Sequence, residues 1–150
     1  MNSATFYLVE GNTNEIAYRS ACHLIYQLWA QQCNAYLYCE NIEIAKSIDD
    51  LLWTFKDTSF IPHQLLATVE NTNNTPIYIG SKELGSHPTQ DENAILMNLT
   101  EEVPYFYKRY SRIVEIVLDD PLKKKIARNK YKIYRDSHYQ LHTSKEALSF

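Results

Sequence analysis

The first apolar cluster, Ala4-Thr5-Phe6-Tyr7-Leu8-Val9, favours β-structure and stops at Glu10-Gly11-Asn12, which predicts a buried first strand. Beyond it the period changes. Ala17, Ala21, Leu24, Ile25 and Leu28 recur at helical spacing toward Gln31, with Asn14 placed to cap the helix. Ala35-Tyr36-Leu37-Tyr38-Cys39 returns to a strand pattern, and Ile44, Ile48, Leu51 and Leu52 mark one face of a second helix that reaches Trp53. Residues 76–79 and 94–99 predict two further strands, divided by a polar loop containing Gly85 and Pro88. A short aromatic helix over 104–110 leads to the strand Ile113-Val114-Glu115-Ile116-Val117-Leu118. The last helix begins after Asp119-Asp120, with Pro121 in its first turn. There the acids suit the helix dipole and proline gives up no needed hydrogen bond; the helix ends near Arg135.

Strands alternating with helices predict an α/β fold, a three-layer α/β/α domain whose largely parallel five-stranded sheet is covered on both faces. Residues 1–150 read as one domain without internal repeats, and 136–150 as a polar tail held loosely on the surface. A chain of 150 residues, 45% hydrophobic, buries roughly 70% of its unfolded surface and needs neither disulfide nor metal for a core.

Composition then removes several chemistries. Gly11, Gly80 and Gly85 are the only glycines and lie too far apart for a P-loop or a dinucleotide fingerprint. Cys22, Cys33 and Cys39 are odd in number, contain no CxxC pair and follow no signal-peptide pattern, so a reducing cytoplasm is expected. No apolar run approaches the roughly 20 residues of a membrane span. A Cys39 nucleophile paired with His63 has a strand-end position in its favour and no sequence signature. His138 and His142 would share a face only if their region were helical, and no zinc spacing accompanies them. Asp49-Asp50, Glu101-Glu102 and Asp119-Asp120 have no partner motif, and the last two pairs suit helix starts. Neither catalytic residues, metal nor cofactor is expected.

Charge changes the picture more. The net charge of −3 hides seven basic residues, Lys123, Lys124, Lys125, Arg128, Lys130, Lys132 and Arg135, in thirteen positions without an acid. The remainder holds eight basic and 18 acidic residues, a formal −10. At about 100° per residue, Leu122, Ile126, Asn129 and Ile133 share one face of the last helix and form its expected buried stripe. Lys124, Arg128, Tyr131, Lys132 and Arg135 fall on the opposite side. Arginine grips carboxylates with paired hydrogen bonds, lysines add attraction and Tyr131 offers an apolar ring, a combination suited to an acidic peptide with a hydrophobic anchor. The other readings of this face are a solvated surface, or direct binding of single-stranded nucleic acid, which the acidic body opposes; a small α/β enzyme is a more distant alternative.

Three segments together resemble the chi subunit family of bacterial DNA polymerase III. They are Ala4-Thr5-Phe6-Tyr7-Leu8, then Leu52-Trp53 with Ser59-Phe60-Ile61-Pro62-His63, and finally Leu122-Lys123-Lys124 through Ala127-Arg128, Tyr131-Lys132 and Tyr134-Arg135. The resemblance implies a non-enzymatic adaptor that joins the clamp loader, through the psi subunit, to single-stranded-DNA-binding protein and contacts DNA indirectly. It places the acidic, phenylalanine-ending tail of that protein on Lys124, Arg128, Tyr131 and Lys132, with Val117 as an apolar contributor. It also gives Trp53, Phe60 and Pro62 to an interface with psi or a helicase-type partner. The loop from Glu70 to Asp91 and the tail after Arg135 carry no match.

Overall fold

A computed structural model of the chain describes residues 2–54, 61–66, 75–84 and 93–145. Seven strands form one sheet: β1 (Ser3–Leu8), β2 (Ala35–Cys39), β3 (His63–Leu65), β4 (Ile77–Ser81), β5 (Ile95–Asn98), β6 (Arg112–Val117) and β7 (Gln140–Ser144). Their order is β3-β4-β2-β5-β6-β1-β7, and every pairing is parallel. The three-layer α/β/α expectation holds, with two strands more than the five expected. Both additions lie on the sheet edges. His-Gln-Leu and Gln-Leu-His-Thr-Ser are short and only partly buried, so neither carries the apolar run of a central strand. Residues 140–144, expected in a loose tail, are therefore ordered as β7 against β1.

Helices α1 (Asn14–Ala30) and α2 (Ile42–Thr54) cover one face, and α3 (Pro121–Asp136) covers the other. Thr13 rather than Asn14 caps α1, its hydroxyl accepting from the Ile16 N–H at 3.3 Å. Asp120 caps α3 in the same way through the Lys123 N–H at 3.0 Å, and Pro121 occupies the first turn as expected. The aromatic segment over 104–110 contains only a 3-10 turn at Tyr107–Arg109.

The central strands are buried on both sides, which explains their unbroken apolar sequences. In β2, Ala35, Leu37 and Cys39 face α1 and α2, whereas Tyr36 and Tyr38 face the cluster containing Phe106, Tyr110 and Tyr134. Gly80 on β4 makes room for the first of these tyrosines: a Cβ there would press into the Tyr36 ring and hydroxyl.

The face that α3 turns inward differs from the expected stripe by one residue. Lys123, Ala127, Lys130 and Tyr134 point toward the sheet and Ile126 of the expected stripe stays half-buried at their border, while Asn129 is exposed, Leu122 is 62% exposed and Ile133 44% exposed. Lys130, at 8% exposure, is inside because Glu115 of β6 is there to receive it. Hydropathy counts a lysine as surface, and here the partner reverses that rule. No described helix is long and apolar enough to cross a membrane.

Candidate functional site: a basic aromatic pocket at the β1–β7 edge

Parallel register brings Leu8 beside Val117 and Phe6 beside Thr143. Phe6 and Leu8 alternate with Tyr7 and so share one face, the face on which α3 lies. Between these strand ends and α3 is a pocket of about 290 Å³, lined by Phe6, Leu8, Val117, Lys124, Ala127, Arg128, Tyr131 and Thr143. The ring of Tyr131 stands 5.7 Å from that of Phe6, tilted by 48°, and forms one wall. No lining residue is acidic.

Four of the five expected tail-binding residues, Val117, Lys124, Arg128 and Tyr131, thus meet in one depression. Lys132 is exposed on α3 but does not line it. Phe6, Leu8, Ala127 and Thr143 complete the pocket and were not expected. The alternating pattern of β1 could have offered the first two, but Thr143 depends on β7 pairing.

The seven cations of the segment are not equally available. Lys130 is buried, Lys123 reaches Glu101 at 3.4 Å, Lys124 reaches Asp119 at 2.9 Å and Arg135 reaches Asp136 at 3.3 Å. Among the described residues Lys125, Arg128 and Lys132 have no acidic side chain at ion-pair distance. The Lys124 ammonium, through its hydrogen bond and charge, holds the Asp119 carboxyl below its ordinary range.

Beneath α3 the polar groups close on one another. Glu115 accepts from Lys130 Nζ at 2.9 Å, from the Tyr134 hydroxyl at 2.6 Å and from Asn98 Nδ2 at 2.8 Å. Lys130 also donates to the Thr100 carbonyl, and the Thr100 hydroxyl donates to Asn98 Oδ1 at 2.6 Å. Burial, reinforced by the Glu115 carboxylate, pushes the Tyr134 hydroxyl far up, so it remains a donor. A cleft of about 210 Å³ at the ends of β2, β5 and β6 borders this network. Its buried polar atoms already have partners within the fold.

At the opposite edge of the sheet, Trp53 stands in the last turn of α2 with 52% of its surface exposed, its ring 4.6 Å from that of His63. His63 Nδ1 donates to the Ile61 carbonyl at 2.6 Å, and Nε2 lies 3.0 Å from Asp49 Oδ1 without hydrogen-bond alignment. Pro62 is half-buried beside them. Phe60 lies outside the described residues. Trp53 therefore caps a histidine rather than the core, and leaves much of its indole to solvent.

Cys39 is buried, and burial, with a smaller push from Cys22, moves its thiol up to about 12, the reverse of an activated nucleophile. His138 follows α3 at a φ of 67° and His142 sits in β7, so no helix places the two side by side.

A family model described as DNA polymerase III chi subunit, HolC, matches residues 1–142. The chain belongs to the DNA polymerase III chi subunit family. It is 31% identical over 141 residues to the DNA polymerase III subunit chi of Pseudomonas aeruginosa, covering 94% of each chain. The subunit chi of Haemophilus influenzae is 30% identical over 141 residues, covering 94% of this chain and 95% of that one. The Escherichia coli subunit chi is 27% identical over 148 residues, covering 96% and 98%. Membership in the chi family makes the chain a replication accessory subunit. The fold itself is more widely shared: a structure of Mss116p DEAD-box helicase domain 2 bound to an RNA duplex superimposes with a TM-score of 0.56 at 10% identity, across 95% of this chain and 64% of that one. That likeness concerns the chain path alone.

Proposed function

We propose that the chain is a non-catalytic adaptor of DNA polymerase III in the cytoplasm, whose pocket takes the acidic, phenylalanine-ending tail of single-stranded-DNA-binding protein. The observation that carries this reading is the meeting of Lys124 and Arg128 with the apolar side chains of Phe6, Val117 and Tyr131 in one pocket. The cations draw in aspartates and a terminal carboxylate, and the apolar walls shelter the ring. Lys132, just outside, meets acidic residues further along the tail.

The psi subunit of the clamp loader, or a helicase-type partner, takes the surface around Trp53, Phe60 and Pro62. A half-exposed indole such as that of Trp53 can serve as an interface anchor. The strands nearest the two sites, β3 and β1, are five strand spacings apart, about 24 Å, so both partners fit at once. That separation is what a linker between two proteins needs.

A fluorescence-anisotropy titration tests the tail reading with a labelled peptide of aspartates ending in Pro-Phe. Binding should weaken steeply with salt and be lost when the terminal Phe is replaced by Ala. Equal binding of both peptides, or tighter binding of plain single-stranded DNA, would remove the adaptor reading in favour of direct nucleic-acid binding.

A further inference from the structure

Helix α3 carries two faces that could turn inward, and they differ by one residue. Leu122, Ile126, Asn129 and Ile133 are the more apolar set; Lys123, Ala127, Lys130 and Tyr134 are the set that the sheet receives, with Ile126 half-buried at the border between the two. Changing from one to the other is a rotation of about 100° about the helix axis. In the rotated helix Lys123, Ala127 and Lys130 would stand where Lys124, Arg128 and Tyr131 now line the pocket. The arginine and the aromatic wall would both be gone.

Hydropathy alone favours the wrong face. What opposes it is Glu115, whose carboxylate is buried at the middle of β6 and accepts three hydrogen bonds, two of them from α3. A buried carboxylate without those donors is strongly disfavoured, and only the observed rotation brings Lys130 and Tyr134 to it. Leu122 and Ile133 are left in solvent as the consequence.

We propose that Glu115, with Lys130 and Tyr134, is a positioning group for the tail pocket: it selects the rotation of α3 that aims Lys124, Arg128 and Tyr131 at the ends of β1 and β6. None of the three lines that pocket. This inference rests on the tail-binding reading for its function, but the rotation can be read without any ligand.

The experiment uses the full chain with Cys33→Ser and Ile133→Cys, so that a thiol reagent reports on position 133 while Cys22 and Cys39 stay buried. In the otherwise native chain position 133 should label quickly. The charge-free pair Glu115→Leu with Lys130→Gln removes the selecting group without stranding either charge, and keeps the observed face the less apolar of the two. It should slow labelling by about ten-fold or more and weaken the acidic peptide by a similar factor. Tyr134→Phe keeps the ring, removes one of the three bonds to Glu115, and should shift both readings in the same direction by about two- to three-fold.

Unchanged labelling and unchanged peptide affinity in the charge-free pair would overturn the proposal. Should that pair not fold, unchanged values in Tyr134→Phe would do so. A parent chain that binds no peptide removes the adaptor reading, and the labelling comparison still decides whether Glu115 sets the rotation.

Discussion

Asp119 holds Lys124 at 2.9 Å, so one of the two cations lining the pocket already has an anionic neighbour. The contact is intramolecular competition with any acidic ligand. On the proposed tail reading, an aspartate of the ligand would have to displace Asp119 or share the ammonium with it. Asp119→Asn should therefore strengthen the acidic peptide, by about two- to four-fold given the small worth of exposed ion pairs. An anisotropy titration at low salt would show it, and an unchanged affinity would mean that Lys124 takes no part.

Arg128 lines the pocket with no described acidic partner, whereas Lys125 belongs to the same charge run and points elsewhere. Arg128→Ala should weaken the peptide by about ten-fold, and Lys125→Ala by less than about two-fold. Equal losses in the same titration would point to a diffuse charge effect instead of a pocket.

Trp53→Ala should abolish co-purification with psi while the acidic peptide remains bound, because the two sites occupy opposite sheet edges. A pull-down from cell extract reads both partners together. Loss of both, or of neither, would contradict the two-site arrangement.

Glu40 supplies a pH dependence. Burial raises its carboxyl, but the hydrogen bond from Lys82, the Glu101 N–H and the Lys82 charge more than reverse this and leave it below the ordinary carboxylate range. With the folded value lowered, the contact adds stability above the titration of the unfolded carboxyl and loses it as pH falls through the folded value. Glu40→Gln should flatten the decline in urea stability below about pH 4.5 relative to the native chain. Parallel declines would show that the pair contributes nothing.

Gly80→Ala tests packing away from both sites. The added methyl meets the Tyr36 hydroxyl and ring, which are fully buried and have no room to withdraw. A loss of about 1–3 kcal/mol in urea denaturation is expected.

Much of this was legible in the sequence, and the exceptions have physical causes. The central strands β1, β2, β4, β5 and β6 announced themselves because burial on both faces demands continuous apolar residues. β3 and β7 did not, since edge strands with His, Gln and Thr resemble loops. Lys124, Arg128 and Tyr131 could be read from one helix, and Val117 from the strand before it. Phe6, Leu8 and Thr143 required the register of β1 against its two neighbours, which no local pattern contains. The inward face of α3 was missed by one residue because a lysine and a tyrosine fill places that apolar periodicity assigns to Leu122 and Ile133. Glu115, itself inside an apolar strand, was the sign that something cationic would join it.

The position of β1 between β6 and β7 also bears on synthesis. Both neighbours of Phe6 and Leu8 lie more than about a hundred residues further along the chain, so at translation speeds of about 5–20 residues per second β1 waits on the order of ten seconds for either. Until α3 and β7 emerge, the pocket has a floor but no walls. On the adaptor reading, a nascent or prematurely terminated chain would be mute toward an acidic tail, and tail binding would begin only once translation has passed Thr143.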